Sequence, residues 1–278
     1  MSSVTISAQD INKLRQATGA GMMDCRKALP ETNGDFEEAI DWLRKQGQKV
    51  AAKRSDREAK EGVVIAQTSA DKKTGFVVCI SCETDFVSKN AEFVAFAKSI
   101  ADAAVANNVK SVEELNEVTV NGAKVADLIN DKLAAIGEKI GISRFERIEA
   151  PYVASYIHGA NRMGVLVGLS KDAEEAGKDV AMQIAAMNPV AVDATSVPAE
   201  VVAREKDIIV ELMKQDPKMA GKPDEMISKI AEGKMNAFFK EQTLLAQAFV
   251  KDGSKSVGEF LKSAGDVTVT EFKRVALG

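Results

Sequence analysis

The sequence predicts an α+β protein made of an N-terminal three-helix module, a duplicated α+β core with antiparallel sheets, and an inserted antiparallel helical hairpin. Three observations predict it. Apolar residues recur at helical spacing through residues 1–47 and then give way to strand-like runs from Gly62. The order strand, turn, strand, helix occurs twice, over 62–105 and again over 152–187. Two arms with helical periodicity, each of about 17 residues, then flank a segment bounded by Pro217 and Pro223.

Taken in order, Ser7-Ala-Gln-Asp10 is a capping box before Ile11 and Leu14, and Thr18-Gly-Ala-Gly21 breaks the first helix. Met22, Cys25, Ala28 and Leu29 form a second helix that Pro30 closes. After the Asn33-Gly34 turn, Asp35-x-x-Glu38 opens a third helix carrying Ala39, Ile40 and Leu43, with Gly47 as its stop. Lys49 to Glu61 is charged and is expected to be a solvated linker. Gly62–Thr68 and Phe76–Ile80 are strands of a hairpin whose turn is Ser69–Gly75, and Asn90–Val105 is an amphipathic helix with Phe93, Phe96, Ala97, Ile100 and Ala104 on its apolar face. Val125–Gly137 is a helix and Ile142–Ile148 a strand. The second unit follows as Tyr152–Ile157, a His158–Gly164 turn, Val165–Leu169 and a helix from Ala173 to Met187. Pro198 starts the first hairpin arm, with Val201, Val202, Ile208, Ile209 and Leu212; Met226, Ile227, Ile230, Phe238 and Phe239 mark the second. Seven-residue steps such as Val201 to Ile208 are compatible with a short coiled coil. A last helix and the alternating strand Val267–Phe272 return to the core. The expected divisions are 1–55 for the module and linker, 56–145 for the first half of the core, 146–195 for the second half (completed by 250–278), and 196–249 for the hairpin.

Composition narrows the function. The 278 residues hold 37 Lys+Arg against 41 Asp+Glu, a net charge of −4, which is poorly suited to gripping phosphate backbones; no direct nucleic-acid partner is expected. One His excludes a His-based metal cage and removes the usual proton shuttle from most acid–base mechanisms. Three Cys is an odd number for a disulfide framework and fits a reducing cytoplasm. The opening MSSVTISAQDINKLRQ has neither the basic-then-apolar order of a secretory leader nor an Arg- and Ser-rich transit composition. No run of about 18 apolar residues occurs, so no membrane span is expected.

Candidate chemistry is sparse. Cys79 and Cys82 form a CxxC, a spacing used in redox and zinc sites. On a strand, however, residues three apart face opposite sides, so buried strand cysteines are the better reading. A thiol enzyme would need His158, which falls in a hairpin turn. GxSxG and GxxxxGK[ST] are absent, and the carboxylates are scattered over solvated helix faces. No catalytic residue, metal or cofactor is expected, and no enzyme activity. The oddest stretch is Glu83-Thr-Asp-Phe-Val-Ser-Lys-Asn90, where apolar Phe86 and Val87 sit among turn-forming residues between a strand and a helix. Either the Phe tucks into the local core, or it is an exposed tip placed to enter a partner.

Two stretches carry a resemblance. Thr18-Gly-Ala-Gly-Met-Met-Asp-Cys-Arg-Lys-Ala-Leu29 and Cys82-Glu-Thr-Asp-Phe-Val-Ser-Lys89 resemble the signatures of the elongation factor Ts family, and the Tyr-x-His-Gly turn at 156–159 falls where that family has it. The resemblance implies a cytoplasmic guanine nucleotide exchange factor of translation that binds elongation factor Tu, both GDP-bound and nucleotide-free. It implies a module similar to ubiquitin-associated (UBA-like) folds that docks on the partner's nucleotide domain through Arg15, Met22 and Met23. Thr84, Asp85, Phe86 and Val87 match the loop that disturbs the partner's Mg²⁺ site, and His158 matches a residue that meets a different domain of the partner. The sequence stops soon after Glu271–Gly278, where some family members continue into a further helical segment, so a contact through that segment is not expected. Met22 and Met23 have an alternative reading as core of the small module. An adaptor working through that module alone is the alternative function, but it would leave the core and the Thr84–Val87 tip without use.

Overall fold

The computed structural model describes residues 6–54, 56–219 and 222–278. Helix α1 (Ala8–Thr18) begins at the predicted capping box: the Ser7 hydroxyl accepts the Asp10 N–H at 3.2 Å, and the Asp10 carboxylate accepts the Ser7 N–H at 3.0 Å. Gly19, with φ of 67°, turns the chain out of it. Helix α2 (Met22–Glu31) runs one residue past Pro30, which was expected to close it. Pro30 leaves the Arg26 carbonyl without its i+4 donor, so the helix ends within a residue, and Thr32 closes the end by donating its N–H and hydroxyl to the Ala28 carbonyl. Helix α3 (Phe36–Lys53) passes straight through Gly47, so the predicted stop is corrected and the helix takes in the first five residues of the segment read as a linker from Lys49 to Glu61. Gly47 is buried, and a Cβ there would lie 2.8 Å from the Cβ of Ala134. This glycine permits a close helix approach rather than a termination. Leu14, Ala20, Cys25, Ala28, Leu29, Ala39 and Leu43 form the core of the three helices.

The first half of the core contains β1 (Glu61–Thr68), β2 (Thr74–Cys82), a single helical turn α4 (Asp85–Ser88), α5 (Ala91–Ala106), α6 (Val112–Glu117), the short pair β3 (Thr119–Val120) and β4 (Ala123–Lys124), α7 (Val125–Ile136) and β5 (Gly141–Glu149). The second contains β6 (Tyr152–His158), β7 (Met163–Leu169) and α8 (Glu174–Met187). The hairpin follows as α9 (Ala199–Gln215) and α10 (Asp224–Gln242), and the chain returns through β8 (Ala248–Phe249), β9 (Asp252–Ser256), α11 (Val257–Ser263) and β10 (Val269–Ala276). The short elements α6, β3, β4, β8 and β9 had no periodicity long enough to announce them.

The two sheets repeat one topology. Strands order β1-β2-β5 in the first and β6-β7-β10 in the second, antiparallel throughout. In each, a hairpin is followed by a helix, and a later strand returns to the free edge of the hairpin's second strand. The sheets face one another across Val64, Ala66, Val77, Cys79, Ile148, Val153, Leu166 and Val275. The opposite face of the first sheet packs under α5 and α7 through Val63, Ile65, Val78, Ile80, Phe93 and Ile100. That of the second packs under α8 and α11 through Val165, Val167, Leu169, Ile184 and Leu261. Both faces of β1, β2 and β7 are therefore buried, which explains why their sequences are continuous apolar runs instead of alternating ones. At Gly164 a Cβ would meet Val64 and Ala66 at 2.9 and 3.0 Å; the bare backbone lets the second sheet approach the first.

The hairpin leaves and re-enters at one place. Val190 donates to the Gln242 carbonyl at 2.8 Å, and Leu244 and Leu245 donate to those of Ala191 and Val192 at 2.9 Å each. Its 17- and 19-residue helices, about 25 and 28 Å long, share a cluster centred on Ile209, Met213 and Met235. The buried Gln183 ties α8 to the return segment, donating to Gln247 and to the Ala248 carbonyl and accepting the Val250 N–H.

Candidate interaction site

The first strand pair delivers the chain to an exposed aromatic tip. Cys82 ends β2, Thr84 stands at the N-cap of α4 with extended backbone, and the single turn of α4 follows. Phe86 is 85 % exposed, while Val87 packs against the first-sheet core and Ser88 is buried. Of the two readings open for the Phe, the tucked one is excluded; Val87, one residue on, takes the inward place. Asp85 pairs with Lys89 at 2.7 Å on the surface, a contact worth little stability in water.

What holds this turn is an exchange of carboxylates between two segments distant in sequence. Glu138, just after the Gly137 cap of α7, accepts the N–H groups of Glu83 and Thr84 on one oxygen, both at 3.0 Å, and the Thr84 hydroxyl on the other at 2.6 Å. Glu83 returns the arrangement by accepting the Lys139 N–H at 2.6 Å. Glu83 also accepts Arg54 and Arg57, each at 3.0 Å, from the chain leaving α3. Neither Glu138 nor the two arginines is marked in the sequence, since the contacts span 54 positions for Glu138 and Thr84 and 29 and 26 for the arginines and Glu83, with no local pattern. The Lys139 N–H is the main cause that brings the Glu83 carboxyl down to about 2, with Arg57 and Arg54 adding and burial opposing. A folded-state value below the unfolded one means that this stabilisation is complete above the ordinary carboxylate range and disappears as pH falls through about 2. Titration of the Glu83 carboxyl by carbon-13 NMR is expected to show that low midpoint; a midpoint in the ordinary range would mean that the exchange of carboxylates is not made.

His158 closes β6 and is exposed, its Nδ1 2.9 Å from the Tyr156 hydroxyl. The turn that follows is tied to the start of the first sheet. Val64 donates to the Asn161 carbonyl at 2.7 Å, and Arg162 pairs with Glu61 at 2.8 Å. Glu61 lies opposite Cys82 across β1 and β2, so the His158 turn and the Phe86 tip stand at one end of the double sheet. On the module, Met22 and Met23 are 51 and 60 % exposed, and Arg15 is exposed. Cys25, Ala28 and Leu29 fill the inner face of α2, so the alternative of Met22 and Met23 as module core does not hold.

The cysteines do not look outward. Cys79 lies between the sheets and Cys82 on the opposite face, as the three-residue spacing on a strand requires. Burial, with the carboxylates of Glu138 and Glu61 adding, pushes the Cys82 thiol up to about 12, and burial also raises Cys79 and Cys25. Buried protonated thiols are poor nucleophiles. Among the described residues, no three His, Cys, Asp or Glu side chains are grouped to hold a metal ion, and no helix is long and apolar enough to cross a membrane.

Residues 83–278 match the family model described as Elongation factor TS. Over 277 residues the chain is 48% identical to the elongation factor Ts of Christiangramia forsetii, covering 98% of this chain and 99% of that one. It is 47% identical over 278 residues to the elongation factor Ts of Flavobacterium psychrophilum, covering 99% of each. A more distant example, the elongation factor Ts of Clostridium perfringens, is 43% identical over 286 residues, covering 98% and 93%.

Proposed function

The chain belongs to the elongation factor Ts family, and we propose that it is the guanine nucleotide exchange factor for elongation factor Tu in translation, working by docking and wedging without a reactive group of its own. The observation that carries the mechanism is a large aromatic side chain left 85 % exposed on a turn whose start is fixed by three hydrogen bonds to Glu138. Thr84, Asp85, Phe86 and Val87 form the loop that enters beside the partner's Mg²⁺ and phosphate site. Arg15, Met22 and Met23 dock the module on the nucleotide domain, and His158 meets another domain of the partner. The common end shared by the Phe86 tip and the His158 turn supports a single partner spanning both.

The physics is linkage. GDP and Mg²⁺ stabilise one another on the partner through the phosphate oxygens. A protein that binds better in their absence weakens them by the same factor that they weaken it. The module is read as UBA-like over 1–55, the core halves as 56–145 and 146–195 with 250–278, and the hairpin over 196–249 as a short coiled coil. The protein works in the cytoplasm, on the GDP-bound and the nucleotide-free partner.

The test is release of a fluorescent GDP analogue from elongation factor Tu with and without this protein; no acceleration would overturn the reading. A second prediction concerns the module. Met23→Ala is expected to weaken partner affinity by about five- to tenfold, the range of a moderate interface truncation, with unchanged far-ultraviolet circular dichroism. Unchanged affinity would remove Met23 from the interface.

A further inference from the structure

We propose that Glu138 is a positioning residue for exchange, holding the turn that carries Phe86 in its presented form before any partner arrives. The inference rests on the reading of Phe86 as a wedge.

A four-residue helical turn has no stability of its own, because nucleating the first turn fixes several dihedrals for one hydrogen bond. Thr84 occupies the N-cap, yet its side chain makes no capping bond to α4. Its hydroxyl is turned instead to Glu138, which also accepts the N–H groups of Glu83 and of Thr84 itself. Without Glu138 these two donors lose their acceptor and the hydroxyl is free to rotate. The left-handed Gly137, with φ of 78°, is what swings Glu138 back toward the end of β2. On the far side Val87 packs against the core and the Asn90 side-chain Oδ1 caps α5 by accepting the N–H groups of Glu92 and Phe93. Phe86 thus stands between two fixed points while contributing almost nothing to burial. Such preorganisation removes an ordering cost that binding would otherwise bear.

The roles of charge and of hydrogen-bond acceptance separate by substitution. In Glu138→Ala all three bonds vanish. In Glu138→Gln the amide oxygen can take both N–H groups, and the amide NH2 can donate to the Thr84 hydroxyl, which reorients to accept. Release of a fluorescent GDP analogue from the partner at saturating protein is compared for the unaltered chain, Phe86→Ala, Glu138→Ala, Glu138→Gln and the Phe86→Ala/Glu138→Ala double variant. Glu138→Ala is expected to slow release by about tenfold, equivalent to about 1.4 kcal/mol. Glu138→Gln should stay close to the unaltered rate, and the double variant should be no slower than Phe86→Ala alone. Amide hydrogen exchange at Thr84 should quicken in Glu138→Ala and not in Glu138→Gln. An unaltered rate for Glu138→Ala beside a slow Phe86→Ala would overturn the positioning role and leave the wedge standing. So would two effects that multiply in the double variant. An unaltered rate for Phe86→Ala would overturn the wedge, and this proposal with it.

Discussion

Phe86→Ala slows GDP release from elongation factor Tu by about 10- to 100-fold at saturating protein and leaves the melting transition where it was. Both halves of this expectation come from exposure. The ring is 85 % exposed, so truncating it removes almost no contact from the folded chain. Burying a Phe side chain against a partner contributes roughly 1.5–3 kcal/mol, and each 1.4 kcal/mol is about tenfold in an equilibrium. Stopped-flow release of a fluorescent GDP analogue reads the first half, and circular dichroism melting reads the second. A rate equal to that of the unaltered chain would remove Phe86 from the mechanism. One Phe is too small to supply a large exchange effect alone, so the docking surfaces around Arg15, Met22, Met23 and His158 and the partner's lost Mg²⁺ coordination carry the remainder of the proposed coupling.

Leu166→Ala is the second expected large effect, and it acts on the scaffold. Leu166 is fully buried between the two sheets, among Val77, Cys79, Ile148 and Val153. Truncation there removes the transfer energy of the lost atoms and leaves a cavity between two rigid layers, which costs about 2–5 kcal/mol. Urea unfolding followed by circular dichroism measures it. A loss well below 1 kcal/mol would mean that the sheets do not share a close-packed core. The consequence for function is geometric: the sheet contact sets the His158 turn beside the end of β2, so loosening it should weaken partner affinity more than it changes release at saturation.

The site was legible in the sequence only in part. Thr84 to Val87 stood out because apolar residues interrupt a turn, and the resemblance gave the stretch a role. Whether Phe86 or Val87 pointed inward was open, because a single turn has no periodicity to assign its faces. Met22 and Met23 were ambiguous for a related reason: helical spacing identifies a stripe but not what packs on it. Glu138 had no signal at all, since its partners are 54 and 55 positions away.

The sequence alone determined what depends on neighbours three or four positions apart: the capping box at Ser7 and Asp10, the helical stripes of α5 and α8, the two hairpins, and the recurrence that makes the core double. Only the tertiary structure decided that Gly47 is a point of close helix approach instead of a stop, that Phe86 points outward and Val87 inward, and that Glu83 and Glu138 brace the turn beneath Phe86. Helix caps and strand alternation are short-range consequences of backbone hydrogen bonding and side-chain period. Burial, exposure and the pairing of distant carboxylates depend on which surfaces the folded layers bring together.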